Sequence, residues 1–244
     1  PPPYPGGEPP RSPGDVGSAP ARWATRIAAA VAGVGETVQE NWGSLTTGGV
    51  VAFTMALVRQ ARNVVLSLKG DNQGLRPADI GVAFSLGYLC DSFLFIPVGW
   101  AMDTYGRKAC GVPAFFVLAA GLLVVPTVQS RHDLVLASVV LAVGNGLSSG
   151  LLMTIGTDLA PRMAVGQFIG VWHLVCDGGA LCGPVLLGLL SDATTLDTSA
   201  RFCAAVGVFG GAWFALQLPE TLRGVAWFQT HSRSHGSAPA GLIA

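Results

Sequence analysis

Six long apolar runs, nearly free of charge, constrain this chain more than any other feature of its 244 residues. They cover roughly residues 44–66, 80–101, 109–129, 134–157, 165–190 and 202–219. Crossing a hydrocarbon layer ~30 Å thick takes about 20 helical residues, and the runs mostly reach that length. Backbone N–H and C=O groups in lipid find no water, so each run must satisfy its own groups as a helix. A barrel would need short segments of alternating polarity, and these runs do not alternate. The expected fold class is an all-α membrane protein with six transmembrane helices.

Charge and composition agree with that reading. Only 11% of residues are charged and half are hydrophobic, whereas soluble domains carry about 25% charged residues. Mean hydropathy is +0.52. The 33 glycines suit helices that pack closely in lipid. Formal net charge is zero, so nothing points to nucleic acid as a partner. Cys90, Cys110, Cys176, Cys182 and Cys203 fall in or beside apolar runs without metal-ligand spacing. They read as small apolar residues, with no disulfide, metal or cofactor expected. No H-E-x-x-H or phosphate-cradling G-x-x-x-x-G-K-S/T occurs, and the chain is not expected to be an enzyme. A channel fits poorly as well, since no ring of carboxylates or filter-like loop is visible.

Outside the runs the chain is polar. Residues 1–43 form a Pro/Gly-rich lead-in whose second half, from Ala21 to Trp42, has the pattern of an amphipathic helix or a linker. Residues 221–244 read as a polar C-terminal tail. The chain opens on Pro1 with no signal-peptide pattern behind it, so it is expected to be a processed or incomplete piece. Six spans put both tails on one face. That face would hold Arg11, Arg22, Arg26, Arg107, Lys108, Arg162, Arg223 and Arg233, against Arg59, Arg62, Lys69, Arg76, Arg131 and Arg201 on the other. Cytoplasmic tails are favoured, by a small margin.

Ionisable residues inside the runs are few. Each costs about 2.5–3.5 kcal/mol on insertion scales, so they normally face a cavity or a partner. Asp91 lies near the middle of the second run, Asn145 of the fourth and Asp177 of the fifth, with Arg59 just past the middle of the first. His173 and Asp177 are four apart on one helical face and in position to share a proton. Asp91, His173 and Asp177 are candidates for proton coupling or cation recognition, with Arg59 as counter-ion. The plainer reading is that Arg59 and Asp91 pair only to fix helix packing.

The most specific signal is Gly99-Trp-Ala-Met-Asp103-Thr-Tyr-Gly106-Arg107-Lys108, between the second and third runs. It resembles the G-x-x-x-D-x-x-G-R-K/R signature of the major facilitator superfamily. Gly99 would let two helices touch, Gly106 would permit a sharp turn, and Asp103 would cap a helix or pair with the nearby cations. Runs four and five carry Gly144-Asn145-Gly-Leu-Ser-Ser-Gly150, Asp158-Leu-Ala-Pro161, Gly166-Gln-Phe-Ile-Gly170-Val-Trp172, Asp177-Gly178 and Gly183-Pro184. This pattern is similar to that of drug-efflux-type members, in their tenth and eleventh helices. Leu218-Pro219-Glu220-Thr221 resembles their ending.

The resemblance implies one half of a major-facilitator fold, more in keeping with the C-terminal six helices. The G-R-K loop and the Gly-Pro pair are also features of the N-terminal half. A secondary active transporter of a small solute is implied, working by alternating access, with proton-coupled efflux as the form that the drug-efflux pattern favours. Its partners would be a small-molecule substrate, the lipid bilayer and a missing six-helix half. The competing function is a truncated, non-transporting scaffold, receptor or assembly partner. Spacings of four at Gly146/Gly150, Gly166/Gly170 and Gly179/Gly183 mark expected helix contacts, and Pro184 an expected bend.

Overall fold

The computed structural model describes residues 33–161 and 164–218. Most of the lead-in and the C-terminal tail, including Pro219 to Thr221, lie outside the described residues. Seven helices follow the short helical stretch 33–40. They are α1 (Trp42–Asn72), α2 (Pro77–Tyr105), α3 (Arg107–Val124), α4 (Arg131–Leu147), α5 (Leu151–Leu159), α6 (Val165–Ala193) and α7 (Leu196–Gln217). With α4 and α5 counted together, six are long and apolar enough to cross a membrane. The chain is therefore an integral, multi-pass membrane protein with the all-α fold its runs imply.

Helix ends follow local chemistry. Pro77 opens α2 behind an extended Arg76, the first-turn position where the missing N–H costs nothing. Gly106, at φ 102°, is the single residue between α2 and α3, a conformation that L side chains rarely adopt. Ser130 and Asp133 form a capping box at the start of α4, and the Thr195 hydroxyl accepts from the Thr198 N–H at the start of α7. Pro126 falls in the 3₁₀ turn that ends the third span.

Apart from the third span, the helices are longer than the apolar runs because polar residues continue them past the core. α1 extends to Asn72 and includes Lys69, which the apolar pattern assigns to a connection. The fourth span is the one that breaks. α4 ends at Leu147 and Gly150 takes a left-handed φ of 74° before α5 begins. Gly146 and Gly150 therefore do not share a face of one continuous helix, and Gly150 acts as the break.

Packing is most extensive between α1 and α6, then between α2 and α4, and between α3 and α7. α3 also packs on α4, and α1 on α7. Exchanging the first three spans with the last three maps this pattern onto itself: α1·α6 becomes α4·α2, and α1·α7 becomes α4·α3. Because corresponding spans run in opposite directions, the domain is an inverted repeat of three helices, the construction found within transporter halves. The core lies along α1, α3, α4 and α7, with Met55, Phe115, Leu118, Leu141 and Phe214 fully buried.

α2 and α6 are the least covered. Only 11% and 17% of their most apolar windows are buried, against 67% for α1. Ile96 and Leu174 stand 81% and 73% exposed. In water such faces would be a liability; in a bilayer they are ordinary.

α6 meets α1 through glycine. A Cβ on Gly179 would run into the Phe53 backbone, and one on Gly183 into that of Leu57 and Ala61. Gly99, Gly166 and Gly170 behave differently from expectation, because a Cβ there would have nothing within 4 Å. Gly99 brings no helices together among the described residues. Gly146 does mark a contact, with Leu94 and Asp91 of α2 rather than with its own span.

Candidate functional site: a polar cleft at mid-span

Asp91 is the central residue of the second span and Asn145 of the fourth, while Arg59 and Asp177 lie within two residues of the centres of theirs. All four line one open cleft of about 400 Å³. α1 contributes Ala56, Arg59, Gln60, Arg62 and Asn63; α2 contributes Tyr88 and Asp91; the broken span gives Asn145 and Leu152; α6 gives Cys176, Asp177 and Ala180. α3 and α7 contribute nothing to it. The inverted repeat accounts for this division. α1 and α4 are equivalent, as are α2 and α6, and these two pairs surround the opening while α3 and α7 back them.

The polar groups are linked. Arg59 Nε donates to Asn145 Oδ1 at 2.7 Å. Asn145 Nδ2 in turn donates to Asp91 Oδ2. Arg62, one turn along α1, has an Nη2 3.9 Å from the same Asp91 oxygen and an Nη1 that donates to the Leu141 carbonyl at 3.3 Å. Its Nε is buried with no hydrogen-bond partner among the described residues. The buried amide of Asn145 thus bridges cation and anion, using donor and acceptor on opposite sides of one planar group. Arg62, not Arg59, is the nearer counter-ion of Asp91. The spacing of three between the two arginines was the available signal, because i and i+3 share a helical face.

Asp177 lines the cleft but makes no ion pair or hydrogen bond among the described residues. His173 is exposed, outside the cleft lining, and not hydrogen-bonded to Asp177. One turn on a continuous helix aligns two side chains without obliging them to meet, and here they do not. Trp172 lies buried on the opposite side of α6, its Nε1 donating to the Leu152 carbonyl at 2.9 Å beside the helix break.

The signature loop forms its own cluster. Arg107 is buried, with Nη1 3.0 Å from Asp103 Oδ1 and donating to the Met102 carbonyl at 2.9 Å. Its Nε reaches Asp158 Oδ2 at 3.1 Å, tying the start of α3 to the end of α5. Lys108 donates to the Ala215 carbonyl of α7 at 2.8 Å. Asp158 was not singled out from the sequence, although it sits in the Asp158-Leu-Ala-Pro161 motif.

The opposite face holds a matching pair. Lys69 at the end of α1 donates from Nζ to Asp197 Oδ1, at the start of α7, at 2.8 Å, and to the Pro126 carbonyl at 3.1 Å. Under the repeat, the end of α1 corresponds to the end of α5 and the start of α7 to the start of α3. Lys69–Asp197 is therefore the counterpart of Asp158–Arg107 with the signs exchanged. Among the described residues no three His, Cys, Asp or Glu side chains gather closely enough to hold a metal ion.

Six spans in an inverted repeat around a mid-span polar cleft are the helix arrangement of one half of a transporter fold. The family model of the Major Facilitator Superfamily matches residues 48–236, and the chain belongs to that superfamily of membrane transporters. It is also similar to an uncharacterised MFS-type transporter of Methanocaldococcus jannaschii, 23% identical over 160 residues. That match covers 64% of this chain and 40% of the relative, so the chain spans less than half the length of the curated relative it matches.

Proposed function

We propose that this chain is one six-helix half of a secondary active transporter, and that the cleft at Arg59, Asp91, Asn145 and Asp177 holds a small solute during alternating access. One observation carries the reading. Polar residues that are costly in lipid come from four different helices to one depth, and the two remaining helices supply none. The partner in this reading is a second six-helix half. α2 and α6 both contribute residues to the cleft, and that the cleft is open supports closure by such a half. The Gly99–Lys108 loop and Asp158 form the latch that holds one state. Asp103, at 78% exposure, is the member most easily detached.

Proton coupling is the driving force we favour, centred on Asp177. Its carboxylate lines the cleft without an ion partner among the described residues, in company with Arg59, Arg62, Asp91, Tyr88 and Cys176, whereas Asp91 is already held by Asn145 and Arg62. His173 has no part in this relay. The drug-efflux-like pattern in the fourth and fifth spans supports export as the direction. Both tails belong in the cytoplasm on this reading. Arg59 and Arg62 line the cleft and so leave the count of interfacial charges, making it eight on the tail face against Lys69, Arg76, Arg131 and Arg201 on the other.

A substrate screen on the full-length gene product in vesicles, with and without a proton gradient, tests the proposal. Solute movement driven by the gradient, lost in Asp177→Asn and reduced in Asn145→Ala, is expected. Wild-type transport in Asn145→Ala would remove the cleft from the pathway. If no solute moved under any gradient, the scaffold or assembly-partner reading would take its place.

A further inference from the structure

The charges in the cleft do not balance at contact distance, and that imbalance names a solute chemistry. Resting on the transport reading above, we propose that the cleft receives its solute through a carboxylate seated on the Arg59–Arg62 pair. Two guanidiniums share one turn of α1, and the linked set Arg59–Asn145–Asp91–Arg62 holds a single carboxylate against them. Asn145 is neutral and occupies the Asp91 oxygen that lies nearest Arg62. The set therefore carries an excess positive charge at the depth where an uncompensated ion is most costly.

The donors left over point the same way. Among the described residues Arg59 donates only from its Nε, and its two terminal amino groups make no hydrogen bond there, in a side chain that lines the cleft. The Arg62 side chain is only 9% exposed, yet its Nε has no partner among the described residues. A buried donor left unpaired costs about 1–3 kcal/mol, more when charged. A carboxylate seated on the Arg59 fork supplies the missing charge to both arginines, in the planar geometry a guanidinium prefers, although the buried Arg62 Nε itself stays out of its reach. Asp177 does not cancel this. It is on α6, is exposed, and makes no ion pair with either arginine among the described residues.

Cys176 lines the same cleft and reports its potential without knowledge of the solute. The full chain, in detergent, is treated with an anionic thiol reagent (2-sulfonatoethyl methanethiosulfonate) or a cationic one (trimethylammonioethyl methanethiosulfonate). Modification at Cys176 is followed by peptide mass spectrometry. Reactivity is measured in an Asp177→Asn background, which removes the carboxylate adjoining Cys176 in the lining. There, relative to glutathione, Cys176 is expected to favour the anionic reagent by about tenfold, the lower end of what focused fields achieve in clefts. Arg59→Gln should bring the ratio back toward that of glutathione; Arg62→Gln should do the same. Since Arg62 is buried and its variant can misfold, the half-buried Arg59 carries the test alone if needed. Sodium succinate should slow the anionic reagent at Cys176, and choline chloride at equal ionic strength should not.

A preference for the cationic reagent, a ratio unmoved by Arg59→Gln, or protection by choline instead of succinate would overturn the anion assignment and leave an aqueous cleft intact. A different failure has a different signature. If Cys176 resisted both reagents in the folded chain and reacted with both after denaturation, the cleft would be closed to water, and the transport reading itself would fall.

Discussion

Adding one methyl group to α6 should have opposite effects at Gly179 and at Gly170. At Gly179 the new Cβ would stand 3.0 Å from Phe53 Cα and closer still to the Phe53 carbonyl. Ordinary carbon contacts lie at about 3.5–4.0 Å, so α1 and α6 must part by roughly 0.5–1 Å at their closest point. That contact is the most extensive in the domain, and the obstructing atoms are backbone, which cannot rotate away. Overpacking of this kind costs about 1–3 kcal/mol, offset by up to about 1 kcal/mol of improved helix propensity on replacing Gly with Ala. A net loss of about 1–2 kcal/mol corresponds to a fall in midpoint of roughly 2–8 °C for a chain this size.

At Gly170 nothing lies within 4 Å of the same atom. Only the propensity gain operates there, so Gly170→Ala should be neutral or slightly stabilising. The assay is thermal unfolding of the purified chain in detergent, followed by loss of the monodisperse peak on size exclusion. Gly183→Ala, hindered by Leu57 and Ala61, should behave like Gly179→Ala. The double variant should lose less than the sum, because one separation of the helices relieves both clashes. If Gly179→Ala and Gly170→Ala shifted the midpoint equally, the close approach of α1 and α6 would be wrong.

The Arg107 cluster and its counterpart at Lys69 lead to further predictions. Asp103→Asn removes a partner that is 78% exposed and should cost under about 1 kcal/mol. Asp158→Asn withdraws a carboxylate from the buried Arg107 and should cost about 2–4 kcal/mol by the same unfolding assay, as for breaking a buried pair. On the other face, Asp197→Ala strands a Lys69 side chain that is only 8% exposed, so it should cost about 3–5 kcal/mol. Lys69→Met leaves behind an Asp197 that is 43% exposed and can hydrate, and should cost less. Equal losses in that pair would contradict the burial asymmetry. Gly150→Ala places an L side chain at φ 74° and should cost about 1–2 kcal/mol, where Gly166→Ala, in the open, should cost nothing measurable.

Much of this molecule was legible in one dimension. Uncharged stretches of about 20 residues leave the backbone no choice but helix in lipid, so the six spans, the fold class and the family follow from hydropathy and from the residues between Gly99 and Lys108. Arg59, Asp91, Asn145 and Asp177 stood out for the same reason, since each is polar where polarity is expensive. Their convergence on one cleft is the consequence of that cost in three dimensions.

Partner choice was not legible. Arg62 rather than Arg59 stands next to Asp91, Asp158 completes the Arg107 cluster, and Lys69 reaches Asp197 across 128 positions, because ion pairs form between helices whose neighbours only packing selects. His173 shares a helical face with Asp177 and still misses the cleft. Gly99 and Gly170 look like contact glycines but face open space, while Gly179 and Gly183 meet backbone. A periodic pattern says which residues share a side of a helix; it carries no information about what stands opposite. That is decided when the inverted repeat packs α1 on α6 and α2 on α4, and with it the charge balance of the cleft between them.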